Sequence, residues 1–219
     1  MELLARAVSR LLDVLAPPAC VACDVACAKT FCDGCGLVTA DAEAHEIDGV
    51  PLVVAGTYAP PLSTAITRFK YEGRAELSRG LSALLVPGLR HLALPADAKL
   101  VPVPLHPRRL ASRGYNQAAL LAQELSRQSA WHCDPRMLLR ARETERQVGK
   151  SRVLRLTNAQ GAFELRHRAF LTPPASAPRV VLVDDVVTTG STVRACAQAL
   201  AQGGVQLLAV VALARARPG

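Results

Sequence analysis

Asp184 and Asp185 follow the apolar run Val180-Val181-Leu182-Val183 and precede Thr188-Thr189-Gly190-Ser191-Thr192. The apolar run, rich in β-branched valine, has the pattern of a central strand buried on both faces in a parallel sheet. From Thr192 to Leu200 the chain is alanine-rich and favours helix. The order is therefore strand, acidic pair, hydroxyl and glycine loop, helix N-terminus. A helix N-terminus offers unpaired amides and the positive end of its dipole, and Gly190 lacks the Cβ that would hold a phosphate away. Four hydroxyls, from Thr188, Thr189, Ser191 and Thr192, add donors. The carboxylates repel the same phosphate and suit sugar hydroxyls or a phosphate-held metal ion. A ribose 5-phosphate unit carries both features. The plainer alternative, acids that merely end a strand and cap a helix, is common at βα turns.

A second group of reactive residues lies near the N-terminus. Five of the seven cysteines, Cys20, Cys23, Cys27, Cys32 and Cys35, fall within sixteen residues. Cys20-x2-Cys23 and Cys32-x2-Cys35 form a pair of knuckles, each able to place two thiolates on one metal ion, with Gly34 and Gly36 permitting the turn. Four thiolates point to zinc, and a closed thiolate set leaves no position for water, so the site reads as structural. The short central gap leaves Cys27 as an alternative ligand, and reduced or disulfide-linked cysteines as the alternative to metal. Cys133 and Cys196 stand apart and read as unligated, Cys196 as buried.

The elements that position these groups follow from patterning. The chain has 219 residues, half of them hydrophobic, enough for one substantial domain and a small appendage. Lys plus Arg is 26 against 18 Asp plus Glu, and the net charge of +8 favours polyanionic partners, either nucleic acid or a polyphosphate substrate. No apolar run reaches the roughly 18–20 residues of a membrane span. Residues 1–16 read as an amphipathic helix interrupted by Glu2, Arg6, Arg10 and Asp13, unlike a signal peptide, so a cytoplasmic protein is expected.

Residues 41–48 read as a polar linker, 50–58 as a strand, and 62–70 and 76–93 as helices. Lys70 and Arg74 are either phosphate contacts or a solvated helix end. A strand over 99–104 precedes Arg108, Arg109 and Arg113, whose guanidinium forks suit phosphate oxygens; an ordinary basic surface loop is the alternative. A long helix then opens at Asn116-Gln117. Residues 134–155 carry seven cations against three acids. Gly149-Lys150-Ser151 mimics the end of a Walker A loop, but Thr144 stands where its first glycine is required. There is no G-x-G-x-x-G, and none of the five histidines has a spaced partner. Residues 205–213 read as another buried strand.

V-L-V-D-D-V-V-T-T-G-S-T resembles the phosphoribosyl-pyrophosphate (PRPP) loop of type I phosphoribosyltransferases. Other stretches narrow the resemblance to the ComF family, over nearly the whole chain. They are F-K-Y-E-G-R at 69–74, V-P-V-P-L-H-P-R-R-L-A-S-R-G-Y-N-Q at 101–117, the Arg-rich segment with Thr144 and Gln147, N-A-Q-G-A-F at 158–163, and the cysteine cluster. The resemblance implies an α/β fold, a type I phosphoribosyltransferase-like doubly wound parallel sheet over 46–219, behind a zinc-ribbon-like region over 1–45.

It further implies PRPP binding with Mg²⁺. Asp184 and Asp185 would be the catalytic acids at the ribose hydroxyls, and Val187, Thr188, Thr189, Gly190, Ser191 and Thr192 the PRPP-binding loop. Arg108, Arg109, Arg113, Asn116 and Gln117 would form the pyrophosphate loop, Arg142 and Gln147 would belong to the flexible loop, and Cys20, Cys23, Cys32 and Cys35 would hold structural Zn²⁺. Because the family is associated with uptake of single-stranded DNA in natural transformation, DNA and the uptake machinery are expected partners. Two functions remain open: ribosyl 5-phosphate transfer to an unidentified acceptor, or non-catalytic single-stranded-DNA binding on the same scaffold.

Overall fold

The computed structural model describes residues 19–36, 44–140, 161–166 and 177–216. The helix expected over 1–16 and the expected flexible-loop residues Arg142 and Gln147 lie outside the described residues. The strands are β1 Ala44–Ile47, β2 Val50–Thr57, β3 Lys99–Pro102, β4 His132–Cys133, β5 Leu138–Arg140, β6 Phe163–Leu165, β7 Arg179–Val187 and β8 Gln206–Arg215. The helices are α1 Leu62–Tyr71, α2 Leu77–Ala83, α3 Val86–His91, α4 Pro107–Arg113, α5 Gln117–Gln128 and α6 Ser191–Gln202, and a single helical turn spans Asp33–Gly36.

Six strands form one sheet in the order β1-β2-β8-β7-β3-β4. Every pair is parallel except β1 with β2. The expected doubly wound α/β architecture is observed. Side chains alternate across a strand, so the valine run of β7 feeds both faces. Val181 and Val183 join the core with Leu121 and Leu125 of α5 and Ile66 and Phe69 of α1, while Val180 and Leu182 join Val193, Cys196 and Leu200 of α6. All four residues of the run are fully buried, each worth about 1.5–3 kcal/mol of apolar burial. This anchoring fixes the carboxyl end of β7, where the acidic pair sits.

The chain leaves β3 toward α5 on one face and leaves β7 toward α6 on the other. Adjacent parallel strands whose connections diverge in this way open a crevice at their carboxyl ends, the usual ligand position in such sheets.

Two expectations change, and one stretch read only by its charge gains a structure. The polar stretch at 41–48 includes β1, which pairs antiparallel with β2 across an Asp48-Gly49 turn, both residues at positive φ (51° and 80°). An Asp-Gly pair of this kind is a strong hairpin signal, outweighed in the sequence reading by the acidic composition around it. The helix expected over 76–93 divides into α2 and α3, with Pro87 in the first turn of the second, a position proline tolerates because its missing N–H would be unpaired there anyway. Part of the cationic segment, Leu138–Arg140, is strand β5, paired antiparallel with β6.

Candidate functional site

Past the acidic pair, β7 runs two residues further before the chain turns through Thr188-Thr189-Gly190 into α6. Gly190 is the N-cap, in the left-handed region at φ 76°, and is buried. A Cβ built there would come within 3.3 Å of Ile47 Cγ2 and 3.4 Å of Arg194 Nη1. The conformation therefore calls for glycine, and a Cβ would fit only if the Ile47 and Arg194 side chains gave way by a few tenths of an ångström. The loop is braced from beneath: Arg194 Nη1 donates to the Thr189 carbonyl at 2.7 Å, and its Nε donates to Asp48 Oδ2 at 2.8 Å. The Thr189 hydroxyl donates to Ser191 Oγ at 3.2 Å. A small hollow, its walls running from Asp184 through Thr188 to Val193, opens at this helix N-terminus. Sequence reasoning missed the Arg194–Asp48 brace, because 146 residues separate its partners.

The two carboxylates differ in environment. Asp184 accepts the backbone N–H of Asp185 at 2.8 Å. Burial and then the charge of Asp185 push its pKa up to about 7, against the smaller opposing pulls of that N–H, Lys70 and Arg140. Asp185 instead meets Lys70, whose Nζ lies 2.8 Å from Asp185 Oδ1, with both side chains largely buried. The sequence offered Lys70 as a phosphate contact; in the structure it is the partner of an acid. Arg140, legible in the sequence only as one of a run of cations, sits with its guanidinium 5.2 Å over the Phe163 ring and close enough to Asp184 to hold down its pKa.

The segment after β3 is tied to the same corner. Val103 N–H donates to the Val183 carbonyl at 2.8 Å, carrying the β3–β7 pairing past the strand end. His106 caps α4 through Nδ1, which accepts the Arg108 N–H at 3.3 Å. Gly114, at φ 79°, ends that helix. Asn116 caps α5: Oδ1 accepts from Ala118 N at 3.0 Å and Nδ2 donates to the Val103 carbonyl at 3.0 Å. Arg113 donates to Gln117 Oε1 at 3.1 Å and to the Tyr71 hydroxyl at 3.2 Å, its guanidinium 5.0 Å from the Tyr71 ring centroid. The buried Gln117 leaves Nε2 without a hydrogen-bond partner. Tyr115 donates its hydroxyl to the Phe69 carbonyl at 2.5 Å. Phe69 and Tyr71, on either side of Lys70, are thus both held by the R-G-Y-N-Q segment. Arg108 is exposed and Arg109 partly so, on α4.

The sulfurs of Cys20, Cys23, Cys32 and Cys35 all lie within 4.8 Å of one another. Four thiolates at about 2.3 Å from one tetrahedral zinc stand about 3.8 Å apart; Cys23 Sγ is 3.7 Å from Cys32 Sγ and 3.8 Å from Cys35 Sγ. The donor set and spacing fit zinc. Cys27 is not in the group, its thiol donating to the Lys29 carbonyl at 3.1 Å. Burial resists ionisation of Cys20, but the N–H groups of Cys32, Ala22 and Cys23 outweigh it and bring its pKa down to about 6. Hydrogen bonding to Cys32, burial and the other thiols push Cys35 up to about 12. Thiols so crowded resist joint ionisation without a cation among them.

The knuckle also contacts the helix that carries Lys70. Asp24, in the left-handed region at φ 60°, receives the guanidinium of the buried Arg68 and that of Arg74, the latter at 3.1 Å. Arg68 also donates to the Val21 carbonyl at 3.4 Å and belongs to the helix that carries Lys70. Arg74, which the sequence left as either a phosphate contact or a solvated helix end, is engaged with Asp24 and Glu76.

Over 201 residues the chain is 38% identical to the DNA utilization protein YhgH of Escherichia coli K12, covering 85% of each chain. It is 39% identical over 172 residues to competence protein F of Haemophilus influenzae, covering 75% of this chain and 72% of that one. The chain belongs to the ComF family. No protein-family model matches it. Among solved structures, adenine phosphoribosyltransferase of Leishmania tarentolae aligns at a TM-score of 0.40 and 13% identity, covering 79% of this chain and 94% of that one. A Thermus thermophilus protein aligns at 0.36 and 20% identity, covering 64% of this chain and 83% of that one. Among the described residues no helix is long and apolar enough to cross a membrane.

Proposed function

We propose that this ComF-family protein binds PRPP with Mg²⁺ and serves DNA utilisation or uptake, with ribosyl 5-phosphate transfer as the chemistry of the site. The observation that carries the reading is the acidic pair at the end of β7, joined by a glycine-capped hydroxyl loop to the N-terminus of α6. The first-turn amides of α6, with the Thr188, Thr189, Ser191 and Thr192 hydroxyls, would hold the 5-phosphate. Val187 and Gly190 shape that loop. Asp184 and Asp185 would take the ribose hydroxyls. Arg108, Arg109 and Arg113, on or ending α4, would face the pyrophosphate, with Asn116 and Gln117 setting the loop's shape and Arg142 and Gln147 closing over it.

In such a transfer the bond from ribose C1 to pyrophosphate breaks, its electron pair leaves with pyrophosphate, and an acceptor lone pair bonds to C1. Hard oxygen donors of the pair and of the ligand suit Mg²⁺, which would neutralise the leaving group. The protein's own share is to fix the sugar by its hydroxyls and to meet developing negative charge with prearranged cations. Cys20, Cys23, Cys32 and Cys35 would hold a structural Zn²⁺, in an N-terminal region over 1–45 set against the phosphoribosyltransferase-like domain over 46–219. A cytoplasmic location belongs to the same reading.

A second reading, a single-stranded-DNA binder that keeps the site as scaffold, is favoured by the net charge of +8 and by a relative named for DNA utilisation. Isothermal titration of the zinc-loaded protein with PRPP and Mg²⁺, with and without a short single strand, separates the two. PRPP binding that weakens about tenfold or more in Asp185→Asn, with an unchanged melting curve, is the expected result. Salt-sensitive DNA binding with no PRPP binding would replace the first reading by the second.

A further inference from the structure

The acid best placed to meet a sugar is already occupied. Lys70 Nζ stands 2.8 Å from Asp185 Oδ1, and the two side chains are 14% and 15% exposed. A cation therefore sits in the free protein where a ribose hydroxyl or a metal ion would have to arrive. The chain neighbours of Lys70 are tied down, the Phe69 backbone carbonyl by Tyr115 Oη and the Tyr71 side-chain hydroxyl by Arg113. Only the flexible four-carbon stem of the lysine is left to move. The lysine's charge also acts on Asp184, and Arg113, which the PRPP reading gives to the pyrophosphate, is bonded to Tyr71, the residue next to Lys70 in the chain.

Resting on the PRPP reading above, we infer that Lys70 is a built-in counter-ion of the acidic pair that exchanges partners on binding. It neutralises Asp185 in the free protein and passes to the pyrophosphate of a sugar polyphosphate when the sugar or its metal ion takes Asp185. Four groups take part, the carboxylate, the ammonium, the ligand's metal ion and its anionic end: ammonium and carboxylate pair before binding, and ammonium with phosphate and carboxylate with metal after it, so no charge is left alone in a partly dry crevice. It also makes the site selective. A bare divalent cation must displace Lys70 with nowhere for the ammonium to go, whereas a metal ion arriving with a polyphosphate brings the lysine its new partner.

The test compares wild type with Lys70→Met, which keeps the apolar stem, and Lys70→Arg, which keeps the charge. Each is titrated with Mn²⁺ alone, followed by electron paramagnetic resonance, and with PRPP and Mg²⁺, followed by calorimetry. Removing a cation 2.8 Å from a carboxylate should tighten Mn²⁺ binding about tenfold in Lys70→Met, while PRPP binding weakens about tenfold through the lost phosphate contact. Lys70→Arg should stay near wild type in both. Opposite signs in the two titrations are what a merely structural lysine would not produce. Losses in both, or no change in either, overturn the exchange. Wild type that binds no PRPP overturns the proposed function itself, whereas wild type that binds PRPP only as tightly as Lys70→Met overturns the role of Lys70 alone.

Discussion

Raising the pH from 6 to 8 should tighten PRPP binding, and Asp184 sets the size of the effect. Burial and the neighbouring Asp185 lift its pKa from the ordinary 3.8 to about 7. At pH 6 only about a tenth of the protein then carries Asp184 as a carboxylate, and at pH 8 about nine-tenths. If the ribose hydroxyls and the metal require the ionised form, affinity rises about tenfold across the interval, or about 1.4 kcal/mol. Stability runs the other way. A folded pKa above the unfolded one means that the native state keeps a proton the unfolded chain releases, so this group's contribution falls as pH climbs from about 4 to about 7. The PRPP phosphates also titrate near pH 6, so the decisive quantity is the difference in slope between wild type and Asp184→Asn, measured by calorimetry in matched buffers. The variant should bind more weakly and lose about one power of ten in pH dependence. Parallel slopes would refute the argument that Asp184 is held protonated near neutrality and must ionise to act.

Gly190→Ala should cost about 1–2 kcal/mol for a left-handed non-glycine residue, with the contacts near Ile47 and Arg194 adding to it. That corresponds to a Tm lower by roughly 3–6 °C. Gly49→Ala is the control, because it shares the positive φ but has open space around the new Cβ. Only the Gly190 variant should also lose PRPP affinity, and equal effects of the two on binding would mean that the loop is not the phosphate site. Chelating the metal from the purified protein should release one zinc per chain and lower Tm by several degrees. Asp24→Asn, which tolerates the same backbone conformation, should keep the zinc but give up about 1 kcal/mol with its half-exposed ion pairs to Arg68 and Arg74. A protein purified without stoichiometric metal would defeat the zinc assignment.

Features with a local cause were legible in residue order. Four consecutive apolar residues followed by two acids read as a strand covered on both faces, and an alanine-rich run after Gly190 reads as a helix. The knuckle spacings likewise narrow which cysteines can share a site, although only the folded chain leaves Cys27 out of it. Each is a property of a short window, where periodicity, glycine geometry or chain reach decides. The acidic pair and its loop were legible for the same reason. Pairings between distant windows had to wait for the folded chain. Lys70 could be read as a free cation until the sheet brought α1 over the end of β7 and placed its ammonium on Asp185. Arg74 could be read as a phosphate ligand until Asp24 reached it from fifty residues away. The 41–48 stretch looked like a linker until its residues 44–47 paired with β2 and set Asp48 beneath the loop through Arg194. Charge composition reports how many cations and anions a chain carries. Which of them meet is decided by long-range packing, because an ion pair depends on distance in space and carries no period along the chain.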